Sequence, residues 1–274
     1  MSTPHTLTTA AHADFELEVR LVRFAEPASR LPSSPTTWPS KNPDTLERAV
    51  RFIEGKRLMT PREFNALRDQ YKSAGFKIAG VQNKAFLRVA RDSVARSAAR
   101  GLDRRGAGAA LNRSLARAGY VGLEPWHARL VANMAVASGY GRSSWEALHD
   151  PRVRGIIPAF QYRTQEDAKV RPEHASMNRR IYKRTWGGWV VWWPPNGYNC
   201  RCYVIGVTKR TIDAYGIKPT TKWPTFQAED GRPRVRARPD DGFEGNPGSY
   251  IREQSHPSTS RERKAAAAQG RSRR

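Results

Sequence analysis

A chain of 274 residues can bury a core and hold one or two domains, yet only 38% of it is hydrophobic and its mean hydropathy is -0.71. No apolar run approaches the ~18 residues of a membrane helix, and residues 1–14 lack the basic and apolar regions of a secretory signal. A net charge of +23, with an isoelectric point near 10.9, marks polyanions as the expected partners, nucleic acid first and without base readout.

Residues 15–21 alternate Phe15, Leu17, Val19 and Leu21 against Glu16, Glu18 and Arg20, a period of two that predicts one short strand. Pro27, Pro32, Pro35 and Pro39 among serines and threonines then read as a linker, so residues 1–43 form a strand-and-linker segment.

Residues 44–122 read as a basic helical region. Pro43 suits a first helical position, with Val50, Ile53 and Leu58 as an apolar edge. Thr60-Pro61-Arg62-Glu63 is a capping box, with Phe64, Leu67 and Tyr71 following at helical spacing and Gly75 as the expected stop. The pattern predicts a longer helix over 81–100, with Phe86, Val89 and Ala90 inward and Lys84, Arg88 and Arg91 on one outer face. That face is either a DNA-facing stripe or an ordinary solvated surface. Gly101, Gly106 and Gly108 punctuate, a short helix is expected over 111–118, and Pro125 opens another that reaches Ser144 or beyond.

From Gly155 the period changes, and a small α+β unit is expected. Ile156, Ile157, Phe160 and Tyr162 suggest one strand, residues 189–193 a second and residues 202–207 a third. After about Thr221 arginine alternates with proline, valine and alanine, so residues 211–274 read as a largely disordered tail. Its Arg271, Arg273 and Arg274 are candidate polyanion contacts.

Residues 162–202 concentrate the chemistry: both cysteines and four of the eight tryptophans lie there. Two cysteines one residue apart form no conventional disulfide framework, which fits a reducing cytoplasm. At i and i+2 of a strand, Cys200 and Cys202 aim both sulfurs at one centre, and Asp167 and His174 would complete a tetrahedral zinc set. The alternative is two small thiols packed beside a hydrogen-bonded His174–Asp167 pair. Cysteine, histidine and aspartate also invite an acid/base or nucleophilic reading. No nucleophile elbow, phosphate-binding glycine loop or metalloprotease helix accompanies them, so an enzyme is not the expectation. Arg201 should face away from the thiols, toward Glu166, Glu173 or a phosphate, and Trp186, Trp189, Trp192 and Trp193 read as core and lid.

At these residues the chain resembles the phage Mu F-like family of minor head proteins. The matching residues, in order, are Asp167, then Arg171-Pro172-Glu173-His174, then Trp192-Trp193-Pro194-Pro195-Asn196-Gly197-Tyr198-Asn199-Cys200-Arg201-Cys202. Upstream, Ala137-Ser138-Gly139-Tyr140-Gly141-Arg142 resembles the helix that precedes the family's cassette, so the likeness covers residues 123–210. Asn178-Arg179-Arg180, residues 185–189 and Lys169 depart from the family pattern.

The resemblance implies a head-morphogenesis role inside the virion, with synthesis in the bacterial host cytoplasm. It implies docking to a portal protein, non-specific DNA contact, and a major capsid or scaffold protein as a further candidate partner; no membrane is implied. The rival from another class is a metal-dependent enzyme, a nuclease or toxin-like transferase, using Asp167, His174, Cys200 and Cys202. The fold expectation is α+β: a helical first half, then a small cassette with short strands.

Overall fold

The computed structural model describes residues 43–67, 72–227 and 235–248. The expected strand over 15–21, the proline-rich linker and Arg271, Arg273 and Arg274 lie outside them. Among the described residues, no helix is long and apolar enough to cross a membrane.

The first half is helical. Helices α1 (Pro43–Glu54), α3 (Lys84–Ala99), α4 (Arg104–Arg117) and α5 (Pro125–His149) pack α1 on α5, α5 on α4, α4 on α3 and α3 back on α1. Ile53, Leu87, Ala90, Val94, Leu111, Leu115, Ala132 and Val136 fill the space between them. Val89, expected inward, is half-buried against this core. The capping box forms as read: Thr60 accepts from Glu63 N–H, Glu63 accepts from Thr60 N–H, and the short α2 (Pro61–Asn65) follows.

Three glycine expectations are corrected. Gly75 does not stop a helix. It opens β2 (Gly75–Phe76), which pairs in parallel with β1 (Arg57–Leu58), and a Cβ there would come within 2.8 Å of the Phe64 ring. Gly106 and Gly108 do not punctuate. They lie inside α4, which is capped by Asp103 and begins well before Leu111. A glycine inside a helix costs about 1 kcal/mol against alanine. At Gly108 the return is close packing, since a Cβ would sit 3.0 Å from the Arg129 backbone nitrogen on α5.

The second half is built on an antiparallel sheet, in the order β4 (Ile181–Lys183), β3 (Ala159–Arg163), β5 (Tyr203–Val207). Phe160 lies opposite Tyr182 on one side and Gly206 on the other. The strand expected over 189–193 is absent. Gly187–Val190 is a 3-10 turn, and its aromatic residues enter the core rather than a sheet. Tryptophan reads as strand by propensity, but Trp186, Trp189, Trp192 and Trp193 are all buried in edge-to-face contacts, so burial overrides that preference.

Helix α5 serves both cores. Its first part buries Ala128, Ala132 and Val136 in the helical unit, and its last turns place Trp145 and Leu148 against the second core. Gly139 meets the backbone of Ala49 on α1, and Gly141 meets the Pro194 carbonyl of the second half. The small residues singled out at 137–142 are therefore the joint between the two halves.

The expected loss of order after about Thr221 is corrected for residues 221–227 and 235–248; residues 228–234 and 249–274 lie outside the described residues. Following α6 (Pro172–Met177) and α7 (Lys209–Ala214), β6 (Thr225–Phe226) pairs with β7 (Val235–Arg236), and Ala237 is fully buried. Asp240 N–H donates to the Asn196 carbonyl, Asn246 Nδ2 donates to the Trp189 carbonyl at 2.8 Å, and Arg142 donates to the Gly248 carbonyl at 3.0 Å. Polar and backbone hydrogen bonds order this stretch, and hydropathy does not register them.

Lys56 is buried, its Nζ donating to the Ser73 carbonyl at 2.6 Å over the Phe52 ring, and burial holds its pKa down to about 7. An unfolded lysine keeps its proton to about pH 10.4, so the unfolded chain binds more protons between pH 7 and that value. Stability should therefore rise through this window, by up to about 1.4 kcal/mol per pH unit. Urea melts from pH 7 to 9 should show that slope in the wild type and not in Lys56→Met, which should be the more stable protein at pH 7.

Candidate functional site

Three segments meet in the cassette. Helix α6, opened by Pro172, carries His174 into the interior at 2% exposure. Cys200 and Cys202 lie on the extended lead-in to β5, just after Asn199, whose φ of 56° sharpens the turn. The alternation read from the sequence holds here although the pair precedes the strand. Cys200 Sγ is 3.8 Å and Cys202 Sγ is 3.6 Å from His174 Nδ1, and the three candidate ligand atoms lie within 4.8 Å of one another.

Asp167 does not join them. It is exposed and forms a two-pronged pair with Arg201, with Nη1–Oδ2 at 2.7 Å and Nη2–Oδ1 at 2.6 Å. This corrects the four-residue set and the His174–Asp167 pair. It also gives Arg201 a carboxylate partner other than the expected Glu166 and Glu173. The planar guanidinium matches a surface carboxylate, while burying Asp167 beside thiols would strip its hydration. Glu166 is held by Arg179 at 2.6 Å, which lowers its pKa to about 2.

The carboxylate that faces His174 is Asp240, from the stretch expected to be disordered. Its Oδ1 lies 3.4 Å from His174 Nε2, and its Oδ2 pairs with Arg171 Nε at 3.1 Å. The signal that could have found it is the Pro239-Asp240-Asp241-Gly242 turn sequence, which reads as a defined turn as readily as disorder. Asn196, which follows the two prolines, is fully buried. It accepts from Tyr162 OH at 2.9 Å and donates to the Val191 carbonyl at 3.2 Å. The Trp192 ring stands edge-on to His174 with centroids 5.9 Å apart.

The hydrogen bond from Cys202 draws the Cys200 pKa well below the usual thiol value, with His174 adding to the effect against burial. Cys202, hydrogen-bonded to Cys200 and largely desolvated, is pushed well above it. Burial would lower His174, but its hydrogen bond to Cys200 and the charges of Cys200 and Asp240 carry it upward. A shallow recess over the cluster is lined by Gln165, Lys169, Val170, Arg171 and Asn199.

The expected basic stripe on α3 is divided. Lys84 pairs with Glu63 at 2.7 Å; Arg91 pairs with Asp92 and donates to the Lys56 carbonyl; Arg88 is exposed. Arg96 and Arg100, and then Arg105, Arg113 and Arg117 on α4, are exposed as well. Between residues 84 and 117 there are nine Lys or Arg against two Asp or Glu.

No family model and no solved structure matches the chain. The chain, with its cassette carried on an α+β fold behind a long small-residue helix, is similar to two curated proteins. Protein F of Escherichia phage Mu, named for capsid assembly, is 26% identical over 139 residues, covering 43% of this chain and 31% of that protein. The Mu-like prophage FluMu F protein of Haemophilus influenzae is 28% identical over 73 residues, covering 27% of this chain and 18% of that protein. The chain thus spans about a third or less of the length of these relatives. Over these stretches it is similar to the Mu F-like proteins.

Asn196→Ala strands the buried Tyr162 hydroxyl and should cost about 2–4 kcal/mol in denaturant melts. Asp167→Asn, which breaks a pair at the surface, should cost about 1 kcal/mol or less.

Proposed function

We propose that this protein is a phage head-assembly component that works by binding, docking to the portal inside the head and contacting packaged DNA without sequence preference. The observation that carries the reading is the similarity to a phage Mu protein named for capsid assembly. The net charge of +23 and the arginine-rich outer surface of α3 and α4 supply the DNA half, because cations near phosphates release condensed counterions whatever the bases. A major capsid or scaffold protein is a further candidate partner, and the head interior is the corresponding location.

In a phage lacking this gene, negative-stain microscopy should find heads missing, malformed or unfilled; a normal yield of infectious particles overturns the assembly role. Duplex DNA affinity should fall steeply between 50 and 200 mM salt, as it does for proteins with several phosphate contacts. Replacing Arg88, Arg96, Arg113 and Arg117 by glutamine should shrink the log–log salt slope by about 0.9 for each lost phosphate contact. A slope unchanged by the quadruple substitution removes the α3–α4 surface from the DNA interface.

A further inference from the structure

We propose that His174 Nδ1 and the sulfurs of Cys200 and Cys202 form a three-ligand zinc site, and that Asp240 positions His174 from its other ring nitrogen. On this reading, metal binding fastens residues 235–248 to the cassette. The inference stands independently of the head-assembly role.

The geometry supplies the ligand set. Tetrahedral zinc, with bonds of about 2.3 Å to sulfur and about 2.0 Å to nitrogen, sets S···N separations near ~3.5 Å. The two S···N distances here are 3.6 and 3.8 Å. Two thiolates and an imidazole favour zinc over the hard cations, which want oxygen. With three protein ligands, the fourth position opens on the recess lined by Gln165, Lys169 and Arg171 and is filled by water.

The orientation of His174 points to Asp240. A metal on Nδ1 leaves the proton on Nε2, and that proton needs an acceptor. Nε2 is buried without a hydrogen bond, and Asp240 Oδ1 stands 3.4 Å away, a few tenths of an ångström beyond a good N–H···O distance. Asp240 is itself fixed by Arg171 Nε and by its own N–H on the Asn196 carbonyl. Ligands on α6 and on the lead-in to β5, with the positioning carboxylate on the 235–248 stretch, join three segments distant in sequence. As the metal binds, each protonated thiol releases its proton to solvent, so two thiolates balance the charge of the ion.

The test uses the full-length chain, stripped with chelator and titrated with cobalt(II), then with zinc in competition. One cobalt per chain with thiolate-to-metal charge-transfer absorption, displaced by zinc, is the expected result. No uptake, or uptake without that absorption, overturns the site. Cys200→Ser and Cys202→Ser should each bind cobalt more weakly and show about half the charge-transfer absorption per bound ion, whereas Asp167→Asn should keep both stoichiometry and affinity; an equal loss in Asp167→Asn overturns the ligand set.

Asp240→Asn should keep the absorption but bind zinc about 10–100-fold more weakly, with Asp240→Glu recovering part of the loss. Zinc should slow hydrogen exchange of residues 235–248 in the wild type and much less in Asp240→Asn. Wild-type affinity in Asp240→Asn, or exchange that zinc does not change, overturns the positioning role and spares the three-ligand site.

Discussion

The indole N–H of Trp193 donates to the Gly141 carbonyl in the middle of α5, 2.8 Å away, and the placing of the cassette depends on that contact. It is feasible because residue 141 has no side chain: a Cβ would run into the Pro194 carbonyl. Trp145 and His149, one and two turns on, stack with ring centroids 3.6 Å apart, and Trp145 meets Trp193 edge-on at 4.8 Å. Two residues before Gly141, Gly139 admits the backbone of α1. One stretch of helix thus accepts a close neighbour from each half, and side chains on those faces would force the halves apart.

The position of the cysteines follows from this docking. With Trp193 and the two prolines held against α5, Asn196 is buried under Tyr162, and the chain emerges through Asn199 to bring Cys200 and Cys202 against His174. The same turn receives Asp240 through its N–H bond to the Asn196 carbonyl. Chemistry and scaffold are not separable here, since the residues that fix the turn also fix the site. Asp167 and Arg201, one on each side of the fold's surface chemistry, are drawn to each other instead of into it.

The arginines are distributed on a different logic. Those near the cassette are largely engaged: Arg171 with Asp240, Arg179 with Glu166, Arg201 with Asp167 and Arg142 with Glu146. Those exposed along α3 and α4 have few carboxylates near them in sequence. The first group builds structure, and the second is the surface on which a polyanion would find unneutralised charge.

Several features were determined by the sequence alone. Local signals sufficed for the Thr60 capping box, the start of α5 at Pro125, the strand ending in Cys-Tyr-Val-Ile-Gly-Val, the convergence of the two thiols and the resemblance to Mu F-like proteins, because each depends on neighbours a few residues apart. Tertiary structure decided the rest. Gly75, Gly106 and Gly108 read as breakers, since their close neighbours come from other segments. Trp189 to Trp193 read as strand, since only the packed core shows where their rings go. His174 received Asp240 in place of Asp167, a choice between a carboxylate seven residues away and one 66 residues away. Sequence spacing ranks the near carboxylate first, but the folded chain commits it to Arg201, and Asp240 is carried in by its own N–H on the Asn196 carbonyl and by Arg171, partners distant in sequence.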